Sequence, residues 1–244
     1  MTEFKGCLPR EATEPGDGAF PVFGVPGEGT PQLVPASDWQ RITGTYRRYT
    51  EAYGVIGQRA NSCTTCGARG ALQSARFFAG LDPVQLSHGS VYGVINGGVD
   101  RGSSIDVCLN QLRRVGMAQT SVIDPFDWGG YYKRRGGWPD DWEANARRYR
   151  VLEAHDCPDW EHLVSAIQLG FPVLFGVRWS GGGGHAILGT GLFRGQIEIL
   201  NSWGASWGDN GFGFLPRAQV QRGITTYGAW ALRAATDPPN DGDI

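Results

Sequence analysis

Asn201-Ser202-Trp203-Gly204-Ala205-Ser206-Trp207-Gly208-Asp209-Asn210-Gly211 begins sixteen residues after His185, which follows the run Gly181 to Gly184. Far upstream, Cys63-Thr64-Thr65-Cys66 opens a stretch of helical periodicity. A thiol at a helix start, a histidine on a strand and an asparagine beside an aromatic lid are the parts of a thiol–imidazole nucleophile.

Working outward from this run, Ala186-Ile187-Leu188-Gly189 after His185 reads as a buried strand. Strands are also expected over 172–177, 185–191, 196–201 and 227–232, each bounded by glycine turns. Before them the period is helical. Ala68, Ala71, Leu72 and Ala75 predict a helix over 66–78, with Thr65 as N-cap and Gly80 as stop. Ile105, Cys108, Leu109 and Leu112 predict a second over 104–115, and Trp160, Leu163, Val164 and Ile167 a third over 159–169. Helices first and strands second is an α+β order, a helical lobe followed by a sheet lobe.

A thiolate, not a thiol, attacks a carbonyl, and the N-terminal turn of a helix stabilises the thiolate. With the helix starting at Thr65, Cys66 holds that position and Cys63 lies in the preceding loop. A zinc half-site would need a second Cys-x-x-Cys or a histidine pair, and the remaining cysteines are scattered, which also speaks against a redox pair. Of the other histidines, His162 is expected on an exposed helix face and His155 and His88 in loops. Asn201 can accept the imidazole N–H of His185 and fix its orientation, with Trp203 shielding that bond from water.

These motifs, in this chain order, resemble the papain family of cysteine peptidases. The family's motif is a glutamine, a glycine-rich turn, a cysteine, two small residues and the nucleophile. The resemblance therefore implies Cys66 as nucleophile, His185 as base, Asn201 as its orienter, and Gln58 with the Cys66 backbone N–H as oxyanion donors. Gln58 precedes Cys66 by eight residues where the family spacing is six, so Asn61 is a rival donor, and Gly67 stands where the family has a bulky residue. Asn96-Gly97-Gly98 matches the family's substrate-cleft segment, with Ile95 in place of a cysteine that in the family bridges the position of Cys63. Trp203 completes the implied substrate side. The implied fold is the two-lobed papain-like α+β fold, with a helical lobe followed by an antiparallel sheet or barrel lobe.

The implied function is hydrolysis of peptide bonds through a thioester, on a peptide or protein substrate, without metal or cofactor. Alternatives are a virion- or cell-wall-associated peptide hydrolase of the same chemistry, or a retired fold used for binding. A net charge of −2 gives no electrostatic case for a nucleic-acid partner. No apolar run approaches a membrane span, and the first residues are not of secretory type, so a cytoplasmic or virion-associated location is expected. Residues 1–35 are expected to be an extended arm, 36–235 the peptidase domain, and 236–244 a disordered acidic tail.

Overall fold

The computed structural model describes residues 5–11, 20–24, 31–132 and 137–234. The expected tail at 236–244 lies outside the described residues. Four helices come first: α1 (Arg47–Tyr53), α2 (Cys63–Phe78), α3 (His88–Asn96) and α4 (Ile105–Arg114). A short α5 (Trp142–Ala146) leads into β1 (Val151–Asp156), α6 (Trp160–Gln168), β2 (Val173–Arg178), β3 (Gly184–Phe193), β4 (Gln196–Leu200), β5 (Phe212–Pro216), α7 (Arg217–Tyr227) and β6 (Ala229–Ala234). The strands form one antiparallel sheet in the order β1-β6-β2-β3-β4-β5. This is the α+β architecture that the order of periods implies.

The predicted apolar faces are buried. In α4 these are Ile105, Cys108, Leu109 and Leu112, and in α6 Trp160, Leu163, Val164 and Ile167. Asp159 caps α6 by accepting the His162 N–H at 3.0 Å, which satisfies an otherwise orphaned donor. It also binds the His162 ring at 2.6 Å, so His162 is half-buried rather than exposed. Among the helices α2 is the most enclosed, packed between the helical lobe and β2, β3 and β6. Gly67 and Gly70 allow this approach: a Cβ on Gly67 would overlap Leu174 of β2, and one on Gly70 would touch Leu188 of β3.

Four expectations need correction. The helix expected from residue 66 begins at Cys63, capped by Ser62 rather than Thr65, whose hydroxyl instead donates to the Ser62 carbonyl. His155 is not in a loop but buried in β1, its ring bonded to Glu153 at 2.6 Å. The strand lacked an apolar alternation because Glu153 and His155 interrupt it, and its partner β6 lies far away in sequence. His88 opens α3 instead of lying in a loop, and Tyr227 ends α7 instead of starting a strand.

Burial of His88 carries a consequence for stability. Enclosure, helped by the charge of Arg69, lowers its pKa to about 3 from an ordinary value of 6.5. The unfolded chain therefore binds a proton at His88 below about pH 6.5 that the folded chain refuses. Stability is fully present above that pH and falls as the pH drops toward 3, and buried His185 adds to the loss over the upper part of the window. His88→Phe, which keeps the edge contact with Phe126, should flatten this acid limb when urea midpoints are compared on either side of the window.

Candidate active site

Between β2 and β3, Gly181, Gly182 and Gly183 all have positive φ, from 83° to 86°, which L side chains rarely adopt. That tight turn delivers His185 as the second residue of β3, opposite Val177. β4 returns antiparallel to β3 with Leu200 opposite Leu188, so the residue after β4, Asn201, comes back beside the start of β3. The sixteen-residue spacing is thus the length of one hairpin. His185 Nε2 and Asn201 Oδ1 are 2.7 Å apart.

Trp203 stacks on the imidazole with centroids 4.5 Å apart and an interplanar angle of 26°. Trp179 meets both rings edge-on, at 5.4 Å from His185 and 5.1 Å from Trp203. Trp179 was not singled out by sequence reasoning, although an aromatic two residues before the glycine run was its available signal. Together the indoles leave His185 with no exposed surface. Its Nδ1 has no partner among the described residues and remains to meet another group. Burial lowers the His185 pKa to about 4, the Asn201 bond opposes this, and the Lys5 charge adds to it.

The two cysteines of the Cys-Thr-Thr-Cys run have different surroundings. Cys63 is the first residue of α2. Its N–H belongs to the first turn, where no carbonyl of the helix can accept it. Burial raises its thiol pKa, and the nearby backbone amides of Ala186, Gly6, Thr64 and Cys63 itself oppose the rise. Ala186 follows His185 in β3, and α2 packs against that strand.

Cys66 sits one turn further into the helix. Its N–H is already committed to the Ser62 carbonyl at 2.9 Å, so the expected oxyanion donor at that position is not available. Its sulfur faces Ser62 Oγ at 3.5 Å, and burial pushes its thiol up to about 12. It lines a gap of about 20 Å³ with Tyr49, Leu188 and Leu200, and with Ala186, Asn201 and Ser202 beside His185. Such a gap holds one water and no peptide.

Gln58 lies five residues before Cys63, and its strand-like segment bridges the lobes: Gln58 N–H donates to the Ser202 carbonyl at 2.8 Å, and Gly57 pairs with Trp203. The Gln58 side chain is anchored, Oε1 accepting from Ser202 Oγ and Nε2 donating to the Ala60 carbonyl at 2.9 Å. The Asn61 N–H is tied to Asp100 Oδ1 at 2.8 Å. Counting from Cys63, the residue that follows is Thr64 rather than Gly67.

Asn96, Gly97 and Gly98 do not line the cleft. They end α3, with Gly97 at φ 65° in the left-handed cap. The backbone facing Gly184 across the lobes is Gly102-Ser103, and residues of the N-terminal segment lie between them. Cys7 N–H donates to Gly184 O at 3.0 Å, Leu8 N–H to Ser103 O at 3.0 Å, and Ser103 N–H to Gly6 O at 2.8 Å. Gly6 lies so close to the loop before α2 that a Cβ would overlap the Asn61 carbonyl. Residues 5–11 therefore lie in the cleft over the start of α2, and the backbone groups a peptide would pair with are occupied.

Three solved structures can be set beside this architecture. The chain superposes on xylellain, a cysteine protease from Xylella fastidiosa, with a TM-score of 0.74 over 96% of this chain and 97% of that one, at 19% identity. For a procathepsin B from Trypanosoma congolense the TM-score is 0.66 over 96% and 87% of the two chains, at 12% identity. For the digestive procathepsin L 3 of Tenebrio molitor larval midgut it is 0.57 over 75% and 67%, at 16% identity. The chain has the papain-like fold. No protein-family model matches the sequence, and neither does any curated protein. In this papain-like chain α2, which begins at Cys63, packs against β3, which carries His185, and Asn201 follows β4. Among the described residues no helix is long and apolar enough to cross a membrane, and no group of three or more His, Cys, Asp or Glu is placed to hold a metal ion.

Proposed function

We propose that this chain is a cysteine peptidase whose nucleophile is Cys63. The observation that carries the reading is the His185–Asn201 pair under Trp203, with Cys63 at the first turn of α2, the helix packed against the strand that holds His185. His185 takes the thiol proton and later gives it to the leaving amine, while Asn201 holds the ring. The Cys63 N–H and the Gln58 amide receive the oxyanion. The substrate is a peptide or protein, pairing with Gly184 and Gly102-Ser103 once residues 5–11 have left the cleft. With those residues in place, burial favours the neutral thiol and the neutral imidazole, the unreactive pairing. A retired fold drew its support from Gly67 and a displaced oxyanion loop; with Cys63 as the reference residue Gly67 no longer follows the nucleophile, and the spacing from Gln58 departs from the family's six residues by one instead of two.

The direct test is alkylation by iodoacetamide or an epoxide probe, read by fragment mass spectrometry. Cys63 should carry the label, and His185→Ala should slow its attachment. A label on Cys66 alone would sink the assignment. Gly6→Ala, which cannot keep the close contact with Asn61, should raise the labelling rate severalfold by lifting the segment from the cleft. An unchanged rate would mean that residues 5–11 do not guard the thiol.

Gln58→Ala should lower kcat roughly a hundredfold with little effect on alkylation, because an oxyanion donor acts only as the tetrahedral charge develops. Asn61→Ala should be mild, since its recorded N–H bond is from the backbone. Steady-state kinetics on a fluorogenic peptide would separate the two.

A further inference from the structure

Once Cys63 is the nucleophile, Cys66 is a buried thiol without a part in hydrolysis, and its position is informative. Residues three apart in an α-helix have Cα atoms about 5 Å from each other. That lies inside the range of about 4.4–6.8 Å which a disulfide spans. Helical side chains lean toward the N-terminus, and Cys66 follows this rule, its sulfur reaching back to Ser62 Oγ at 3.5 Å. Cys63, the neighbour of Ser62, lies one turn back on the same helix and is close enough to interact electrostatically with Cys66. Two further thiols are near: Cys7, which directs its S–H to the Leu8 carbonyl at 3.6 Å, and Cys108 of α4, both on separate segments. All five cysteines are free thiols in this structure.

We propose that Cys63 and Cys66 form a reversible redox pair, in which a peroxide oxidises Cys63 and Cys66 resolves it into an intrahelical disulfide. The Cys63 thiolate attacks one peroxide oxygen, the O–O bond breaks, and the second oxygen leaves as water after taking a proton. Cys63 is now a sulfenic acid, oxidised by two electrons. The Cys66 sulfur then attacks the Cys63 sulfur, the S–O bond breaks, and the departing hydroxide takes the Cys66 proton as a second water. A dithiol reductant reverses the step by thiol–disulfide exchange and is itself oxidised to its disulfide. The thiolate-stabilising helix start, which makes Cys63 reactive, also makes it a good leaving group in that exchange. Any opening that admits a peptide carbonyl to Cys63 also admits a peroxide. The pair keeps the nucleophile from the irreversible sulfinic state. Its effect on hydrolysis rests on the peptidase reading, but the disulfide itself does not.

Trypsin releases Cys63 and Cys66 in one peptide, 60–69, and Cys7 in another, 6–10. After stoichiometric hydrogen peroxide the full chain should yield the 60–69 peptide lighter by two hydrogens and closed to alkylation, and dithiothreitol should restore both thiols. In Cys66→Ser, which has no resolving thiol, one equivalent should leave Cys63 as sulfenic acid and a second equivalent should carry it to sulfinic acid, heavier by two oxygens and not recovered, whereas the unsubstituted chain given two equivalents should still yield the disulfide. A cross-link between the 6–10 and 60–69 peptides, or sulfinic Cys63 accumulating in the unsubstituted chain without the internal disulfide, would overturn the proposal. Mass mapping reads this whether or not a peptide is hydrolysed. A chain without peptidase activity that forms the disulfide would therefore fail the functional reading alone.

Discussion

Cys63→Ala is expected to lose peptide hydrolysis by roughly a millionfold, the scale of removing the nucleophile from a nucleophile–histidine unit, while Cys66→Ala stays within a few-fold of the unsubstituted chain. The reason is positional. Cys63 holds the first turn of α2, where backbone N–H groups without helical partners stabilise a thiolate and await an oxyanion. The Cys66 N–H is spent on the Ser62 carbonyl, and its sulfur lies against Ser62 Oγ at 3.5 Å. Initial rates on a fluorogenic peptide, with circular dichroism to confirm that both variants fold, decide it. The reverse pattern, a dead Cys66→Ala and an active Cys63→Ala, would return the nucleophile to the position implied by the sequence motif.

Replacing His185 with alanine should cost a comparable amount, again on the order of a millionfold in kcat. The imidazole is the titratable group bracketed by Asn201 and the two indoles, and its Nδ1 is the atom left to exchange a proton with sulfur. Without it the thiol returns to its ordinary protonated state at neutral pH, and the leaving amine has no acid. Alkylation of Cys63 should slow in parallel in the variant and regain speed as the pH approaches the ordinary thiol range. If labelling stays fast at neutral pH in His185→Ala, another group activates the thiol. Asn201→Ala should be the milder lesion, because the ring stays and only its orientation is lost.

The register of α2 is where reading and structure parted most instructively. Ser62 and Thr65 are both competent N-caps, separated by small differences in cap preference. Local chemistry therefore could not say which of two cysteines begins the helix. Contacts from distant segments decide it. Asp100 Oδ1 accepts from both the Asn61 N–H at 2.8 Å and the Tyr92 hydroxyl at 2.6 Å, and Gly102 N–H donates to that same hydroxyl at 3.1 Å. The loop before α2 is thereby held against the start of α4, with Ser62 left at the helix entrance. A spacing argument from Gln58 fails for the same reason: it measures along the chain a distance that Ser202 and Ala60 fix in space.

What the sequence by itself determined is what rests on short-range chemistry. The apolar periods of α4 and α6, the glycine turns between strands, and the sixteen-residue spacing from His185 to Asn201 all involve neighbours or near neighbours, so residue types and spacings suffice to predict them. Only the tertiary structure decided the rest. β1 and β6 pair across more than half of the sheet-forming sequence, and β1 has two polar residues at its centre, so it shows no period. The cleft wall is Gly102-Ser103 rather than Asn96-Gly98, because it is set by which loop faces Gly184. Residues 5–11 read only as an extended arm, since backbone hydrogen bonds carry their seat in the cleft and those leave no pattern in side chains. Cys63 belongs to this second group: its identity is local, but its role depends on where distant groups make the helix begin.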